Sequence, residues 1–449
     1  MPTLSWLGKD AVVDHHRHLP VRDLREDPAL AIPGPPLHTL IEGDNLEALA
    51  ALLPAHRARV RCIYIDPPYN TGNETWVYND AVNSPATRSW LGRVVGRDDL
   101  DRHDKWLCFM YPRLALLREL LAADGCLFIS IDDTELAALQ FLLDELFGSE
   151  NRLATFTWVR KKKGSHLDRH LRRMTEFVVA MAKDASSLPP LFGEAAYAEK
   201  WQPLVKRTNR TQTLVIPAGA TETTLATGVH PAGVRGTGGT ALRFHEDLVV
   251  AEGRIAAPVT ITGNFVWTQP KLDAELALGT RIALSRAYGL NVRRWDQAQK
   301  TKRPSTLLSA LSGVGTNEDA SQEVMEILGS ERGAAFAFPK PVSLVECLLR
   351  TVCRDDPTAL VLDAFAGSGT TGHAVMRLNA ADGGTRRAIL VQLGEDQGGG
   401  PNIARTITRE RLLRAATGYV VRNVAVPGLG QGWRYCRLGN PVGKLDLVE

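Results

Sequence analysis

The sequence contains no Cys-x-x-Cys pair, no uninterrupted apolar run of membrane-spanning length and no strong excess of either charge. Its six cysteines (Cys62, Cys108, Cys126, Cys347, Cys353 and Cys436) are scattered, several of them inside apolar runs. Zinc sites and disulfide frameworks need closely spaced thiols, so reduced, buried thiols are expected instead. Crossing a bilayer takes about 20 consecutive apolar residues. The first residues, with Asp10, Asp14 and three histidines, do not read as a greasy signal peptide. The expectation is a soluble, cytoplasmic chain with no membrane contact. His15, His16 and His18 lack Asp or Cys partners at ligand spacing and read as a surface cluster, so no metal is expected. A formal charge of +3 does not by itself imply a polyanionic partner, and any basic surface must be local.

What is present is ordinary globular composition, 44% apolar and 23% charged, in 449 residues with room for two or three domains. One stretch dominates. Val60 to Ile65 is apolar and β-branched, the composition of a buried parallel strand, and it stops at Asp66-Pro67-Pro68-Tyr69. Two prolines fix φ and remove two donors, so the strand cannot continue. The carboxyl ends of strands are where open α/β sheets bind ligands. A flat amine could donate to Asp66 and the Pro67 carbonyl while its ring stacks on Tyr69. A plain Pro-Pro turn with a solvated Asp is the alternative.

Around this corner, strands and helices alternate. Leu37–Ile41 reads as a strand, followed by a helix from Leu46 to Leu53 with Asp44 or Asn45 as N-cap. Trp106–Leu121 reads as a helix in which Pro112 marks either a kink or the true first turn. Gly125–Ile131 reads as a strand, Thr134–Phe147 as a helix, and Ala154–Val159 with Phe177–Ala182 as a strand pair. Between that pair, residues 160–173 carry Arg160, Lys161, Lys162, Lys163, Arg169, Arg172 and Arg173 against one Asp. Such a lopsided block suits phosphate contacts, with a solvated loop as the alternative. From Ser186 to Ser330 the chain turns to short alternating runs, including Leu214–Ile216, Leu248–Val250, Val259–Ile261 and Asn264–Trp267, a mainly β segment. The α/β pattern resumes at Phe338-Pro-Lys-Pro341, with a helix over Val342–Val352 and strands over Ala359–Asp363 and Ala388–Leu393. Residues 1–36 read as a polar, Pro-rich, linker-like lead-in, and the last thirty residues are Gly-rich and uninformative. The whole implies a doubly wound sheet.

Gly367-Ser368-Gly369-Thr370-Thr371-Gly372 follows one of these strands and opens a helix, and the next strand ends near Glu395. Glycines there let a backbone approach a cofactor, and the acid accepts from ribose hydroxyls. A P-loop is excluded because His373 and Ala374 stand where Lys and Ser/Thr are required. By itself the loop leaves NAD and S-adenosylmethionine open. The companion corner decides, because hydride transfer has no use for Asp66-Pro67-Pro68-Tyr69 whereas methyl transfer to an aromatic amine does.

The pair Asp66-Pro67-Pro68-Tyr69 and Phe365-x-Gly367-x-Gly369, in that order, resembles the β, circularly permuted class of amino-methylating DNA methyltransferases. The longer strings Ile65-Asp-Pro-Pro-Tyr-Asn-Thr-Gly-Asn73, Trp76-Val-Tyr-Asn-Asp80, Lys105-Trp-Leu-Cys-Phe-Met-Tyr-Pro-Arg-Leu114 and Phe338-Pro-Lys-Pro341 are similar to the Mod subunits of type III restriction-modification systems. The resemblance implies a doubly wound, mostly parallel, Rossmann-like α/β sheet, circularly permuted, with an inserted β-rich target-recognition segment. It divides the chain into a lead-in (1–36), a catalytic half (37–190), the recognition region (191–330), a cofactor half (331–425) and a tail (426–449). It implies transfer of a methyl group from S-adenosylmethionine to N6 of a flipped-out adenine. Asp66 and the Pro67 carbonyl would hold the amine, Pro68 would stiffen the corner and Tyr69 would stack on the base. Phe365, Gly367, Ser368, Gly369 and Thr370 would form the cofactor loop. Asp363 would face the methionine amino group, Lys340 its carboxylate, Asp44 the adenine and Glu395 the ribose, with Asp396 as the alternative acid. Double-stranded DNA is the implied partner, and a homodimer and a restriction (Res-type) subunit are admitted beside it. Cytosine N4 methylation and a catalytically silent DNA-binding specificity protein are the rival readings; the cytosine enzymes more often carry Ser where Asp66 stands.

Overall fold

The structure, a computed structural model, describes residues 4–71, 85–95, 100–163, 170–193, 201–294, 302–329, 333, 336, 338–394 and 402–445. Its contacts form two units, one of residues 1–192 with 304–449 and one of residues 193–303. The large unit is built on a ten-stranded sheet. In chain order its strands are β1 (Pro20–Glu26), β2 (Pro36–Glu42), β3 (Val60–Ile65), β4 (Leu121–Ile131), β5 (Arg152–Val159), β6 (Thr175–Ala182), β7 (Leu307–Leu308), β8 (Leu360–Asp363), β9 (Arg387–Gln392) and β10 (Gly432–Lys444). They lie in the order β1-β10-β2-β9-β8-β3-β4-β6-β5-β7. The six strands from β10 to β4 run parallel, and β1 and β6 flank them antiparallel.

The strand residues alternate between two cores, which is why the strands read as continuous apolar runs rather than half-buried ones. Ile63, Ile65, Leu127, Ile129, Leu362 and Val391 pack on one face with the helices Asn45–His56, Arg102–Leu120 and Leu136–Phe147. Cys62, Tyr64, Phe128, Val361 and Leu390 pack on the other with the helices Val342–Cys353, Thr370–Asp382 and Glu410–Thr417. The doubly wound, mostly parallel sheet is therefore present, with the helices of the two sequence halves on opposite faces. Pro112 sits inside its helix rather than at its start.

Four expectations are corrected. The lead-in is not a linker, since β1 pairs with β10 along most of its length and forms the sheet edge. The Gly-rich tail is not featureless, because in Gly432-Trp-Arg-Tyr-Cys the large residues Trp433 and Tyr435 alternate with exposed Arg434 and are buried in the sheet. The β-rich unit is shorter than residues 191–330. Residues 304–329 join the large unit through β7, which pairs with β5, and through the amphipathic helix Asn317–Leu328. Asn264–Trp267 is not a strand. The Phe265 N–H turns back to Gly263, one isolated bridge joins Phe265 to Val205, and a helix starts at Gln269 with Pro270 in its first turn. The small unit itself is mainly β, with one seven-stranded and one four-stranded sheet around a core that includes Leu214, Phe244, Ile261, Phe265 and Ile282.

No helix among the described residues is long and apolar enough to cross a membrane, and no group of three His, Cys, Asp or Glu there could hold a metal ion. All six cysteines are free thiols. Because Trp433 is buried against Gly372 of the glycine loop's helix, Trp433→Ala should destabilise the large unit by about 3–5 kcal/mol. The urea unfolding midpoint, followed by tryptophan-independent circular dichroism, measures it. An unchanged midpoint would mean that β10 is not part of the cooperative core.

Candidate active site

Strand β3 lies beside β8 in parallel register, Cys62 opposite Val361 and Ile63 opposite Leu362. Their carboxyl ends therefore deliver the Asp66 corner and the glycine loop to the same edge. In the corner, the Tyr69 hydroxyl donates to Asp66 Oδ1 at 2.9 Å and lies 3.3 Å from Glu176 Oε2. The Trp106 indole N–H donates to the Pro68 carbonyl at 2.7 Å, which fixes the turn. Asn70 follows in the left-handed region, φ 60°, and pays for that strain by donating its amide to buried Glu135 and to the Arg102 carbonyl. Glu135 also meets His103 Nδ1 at 2.7 Å.

Lys340 enters the corner from the Phe338–Pro341 segment. Its Nζ is 2.9 Å from Asp66 Oδ2, 3.7 Å from Glu176 Oε2 and 4.9 Å from the centroid of the Tyr69 ring. Glu176 in turn accepts from Arg160 at 2.9 Å. Two cations and two carboxylates thus neutralise each other in a site where isolated charges would be prohibitively costly. Burial alone would lower the Lys340 pKa, but Asp66 and Glu176 outweigh it and hold the ammonium above its ordinary value. Burial raises the Glu176 pKa, opposed by Lys340 and Arg160. Burial, with Asp66 and Glu176 nearby, keeps the Tyr69 phenol protonated.

The loop after β8 turns on Gly367 (φ 52°) and Gly369 (φ 82°), a conformation that favours glycine. Gly367 donates its N–H to Gln392 at the end of β9, and its carbonyl accepts from Thr408. The Ser368 and Thr370 hydroxyls accept from one nitrogen of the fully buried Arg411, at 2.7 and 2.8 Å. Phe365 is buried edge-on to Phe109, whose face carries the Arg113 guanidinium 3.6 Å from its centroid. Arg113 joins the loop to the helix Asn45–His56. It donates to Asn45 Oδ1 and approaches Asp44 at 3.4 Å, while the Asn45 amide donates to the Ala364 carbonyl. Asp44 is the N-cap of that helix, accepting from the Leu46 and Glu47 N–H groups, and its side chain remains 47% exposed.

Several sequence-derived site residues are engaged by other protein groups. Lys340 rests on Asp66. Asp363 is buried and accepts from Thr371 and from the Phe365 N–H, bracing the loop from within. Arg160 is turned inward to Glu176, and Lys162 pairs with Asp319, so neither stands ready for phosphates in this arrangement. Lys163 and Arg172 are exposed, Lys161 is half-buried, and Arg173 is 3.8 Å from Asp133. Arg169, Glu395 and Asp396 lie outside the described residues. Glu176 and Arg411 were not singled out from the sequence. A lone Glu in the apolar run Thr175-Glu-Phe-Val-Val179 was the available signal for the first, whereas the link from Arg411 to Ser368 spans 43 residues and has none.

Burial pushes the Asp363 pKa from 3.8 up to about 7, opposed by the bonds from Thr371 and Phe365 and reinforced by the Asp66 charge. Between about pH 4 and 7 the folded chain keeps a proton that the unfolded chain has released. This group's contribution to stability therefore falls as pH rises through that window, by on the order of 4 kcal/mol in all. Asp363→Asn keeps the acceptor for Phe365 and cannot ionise. Its gain in Tm over the parent should be several degrees larger at pH 8 than at pH 5, as read by thermal unfolding across that range. A gain independent of pH would contradict the buried, late-titrating carboxyl.

Comparison with known proteins places this geometry. Residues 60–394 match the N6/N4 methyltransferase family, described as DNA methylase. The Type III restriction-modification enzyme StyLTI Mod subunit of Salmonella typhimurium is 30% identical over 422 residues, covering 89% of this chain and 60% of that protein. The EcoPI Mod subunit of Escherichia phage P1 is 32% identical over 383 residues, covering 79% and 57%. The Type II methyltransferase M.KpnI of Klebsiella pneumoniae is 28% identical over 370 residues, covering 78% and 79%. The chain spans about 60% of the length of the two Mod subunits. With the match reaching from the strand before the Asp66 corner to the strand after the glycine loop, the chain belongs to the N6/N4 DNA methylase family.

Proposed function

We propose that the protein is a DNA methyltransferase that moves a methyl group from S-adenosylmethionine to the exocyclic N6 amine of an adenine flipped out of double-stranded DNA. The observation that carries this reading is the delivery of the Asp66 corner and the glycine loop to one sheet edge by neighbouring parallel strands. Asp, rather than Ser, at position 66 supports adenine over cytosine. Reduced thiols and a DNA substrate fit the cytoplasm.

The residues present fit the cofactor. Gly367 and Gly369 leave a side-chain-free backbone at the start of the helix Thr370–Asp382, Phe365 lines the loop, and the half-exposed Asp44 carboxylate is tied to the same loop through Asn45 and Ala364. Gly367, Ser368, Gly369 and Thr370 would cradle the cofactor, with Asp44 toward its adenine and Glu395 toward its ribose. Asp363, which braces the loop from within, would support its methionine end, while Lys340 rests on Asp66. When bound, S-adenosylmethionine supplies a sulfonium methyl group, whose carbon–sulfur electron pair leaves with sulfur as the new nitrogen–carbon bond forms.

The chain's own contribution is to make a poor nucleophile adequate. The adenine amine is flat because its lone pair is delocalised into the ring. Asp66 and the Pro67 carbonyl accept hydrogen bonds from its two N–H groups, draw the nitrogen toward tetrahedral geometry and stabilise its developing positive charge. Each charge-assisted bond is worth roughly 1.5–3 kcal/mol. Asp66 then relays the surplus proton to water. Extruding the base costs a few kcal/mol, which a stacking ring, worth about 1–3 kcal/mol per base, offsets. Lys161, Lys163 and Arg172 would supply phosphate contacts from the basic block, and residues 193–303 are the candidate recognition unit. A restriction-type partner subunit is proposed by analogy with the Mod relatives alone.

Incubation with labelled cofactor and mixed-sequence DNA, followed by nucleoside mass spectrometry, should yield N6-methyladenine; N4-methylcytosine or no transfer would overturn the reading. Asp66→Ala should abolish transfer while cofactor affinity, measured by calorimetry, stays within about threefold, since its lost interaction is with the amine. Tyr69→Ala should weaken transfer to a fully paired duplex more than to a duplex with a mismatched target base, because stacking matters most where flipping costs most. Equal losses on the two substrates would remove the stacking role.

A further inference from the structure

Lys340 occupies the position that the target base requires. Its ammonium takes Asp66 Oδ2 at 2.9 Å and covers the Tyr69 ring at 4.9 Å, the carboxylate and the aromatic face assigned above to the amine and its base. An incoming amine must displace it, and a displaced ammonium that is 7% exposed needs another carboxylate at once. One is already in reach. Glu176 Oε2 stands 3.7 Å from Lys340 Nζ, on β6, and Glu176 is itself 4% exposed. Its other oxygen is anchored by Arg160 at 2.9 Å, and Tyr69 Oη lies 3.3 Å from Oε2. The charged and titratable groups that bear on Glu176 are Lys340, Arg160, Asp66, Asp132 and Tyr69.

Resting on the reading that the chain methylates a DNA amine, we propose that Glu176 is a positioning residue of that reaction: the carboxylate to which Lys340 withdraws when the target amine takes Asp66. In the free protein Lys340 bridges the two acids, stays closer to Asp66 and holds the corner in its working shape. On base entry it shifts by a fraction of its own length, Asp66 Oδ2 and the Tyr69 face are released together, and no charge is left unpaired. Glu176 touches neither base nor cofactor in this scheme. It acts through Lys340.

The test is Glu176→Gln, close in shape and unable to hold the ammonium by charge. Lys340 then has Asp66 as its main anion and competes harder with the amine. The expected result is a loss of about tenfold or more in kcat/KM for DNA, with the KM for cofactor within about twofold and the melting temperature close to that of the parent. In a Lys340→Met background the same Glu176→Gln change should cause no further loss, because there is no ammonium to relocate. A second readout needs no turnover. Acetic anhydride labelling of the ligand-free protein, read by mass spectrometry at increasing pH, should modify Lys340 at lower pH in Glu176→Gln than in the parent. Parent-like kcat/KM for DNA, a loss that falls on cofactor KM instead, or equal losses with and without Lys340 would overturn the proposal. If the parent protein transfers no methyl group to DNA, the functional reading fails first, and the labelling comparison still decides whether Glu176 holds Lys340. Should Glu176→Gln not fold, Glu176→Asp, which keeps the charge, is expected to retain most of the parent's kcat/KM; loss of it there would count against the scheme.

Discussion

The parallel pairing of Val60–Ile65 with Leu360–Asp363 is the constraint on which the site depends. About 300 residues separate the two strands in sequence, so the backbone hydrogen bonds between them must offset a large loop-closure cost before any chemistry is assembled. Both strands are buried on both faces, and a slip of one residue would exchange the two cores that Cys62 and Ile63 face. Register is therefore tightly specified. It places the Asp66 carboxylate and the Asp363–Thr370 loop at one edge without any side chain having to reach far.

Once they are there, electrostatics governs the arrangement. Asp66, Glu176, Lys340 and Arg160 form a closed group with no net charge, and each would be expensive to bury alone. The same economy runs through the second acid. Burial pushes the Asp363 carboxyl up to about 7, and the hydrogen bonds its oxygens accept from Thr371 and the Phe365 N–H limit that rise. The two acids thus differ by environment: Asp66 is ion-paired at the rim of the sheet, Asp363 is sealed beneath the loop.

One side of the large sheet is completed by strands from early and late in the sequence. The final strand, Gly432–Lys444, inserts between Pro20–Glu26 and Pro36–Glu42, and its Trp433 packs against Gly372 in the glycine loop's helix. Thr408 and Arg411, from the segment just before, hold the loop from the other side. Residues with no chemistry of their own therefore set the shape of the loop.

Local pattern determined much of this protein. The strand at Val60–Ile65, its arrest at two prolines, the helix capped by Asp44 and the glycine turn after Asp363 follow from apolar runs, fixed φ angles and residues tolerant of positive φ. Those signals act within a few residues, so the sequence carries them openly, and the corner and loop together sufficed to suggest the family. Tertiary structure alone decided the rest. That Pro20–Glu26 and Gly432–Lys444 are strands depends on each finding the other across the chain. That Phe265 bridges to Val205 instead of continuing a strand depends on a partner sixty residues earlier in the chain. That Arg160 faces Glu176 rather than solvent depends on the antiparallel pairing of Arg152–Val159 with Thr175–Ala182, which sets it beside the one acid in an apolar strand. Charge counted along a sequence cannot distinguish a solvated basic run from one whose first residue is buried, because desolvation is set by neighbours that only the fold supplies.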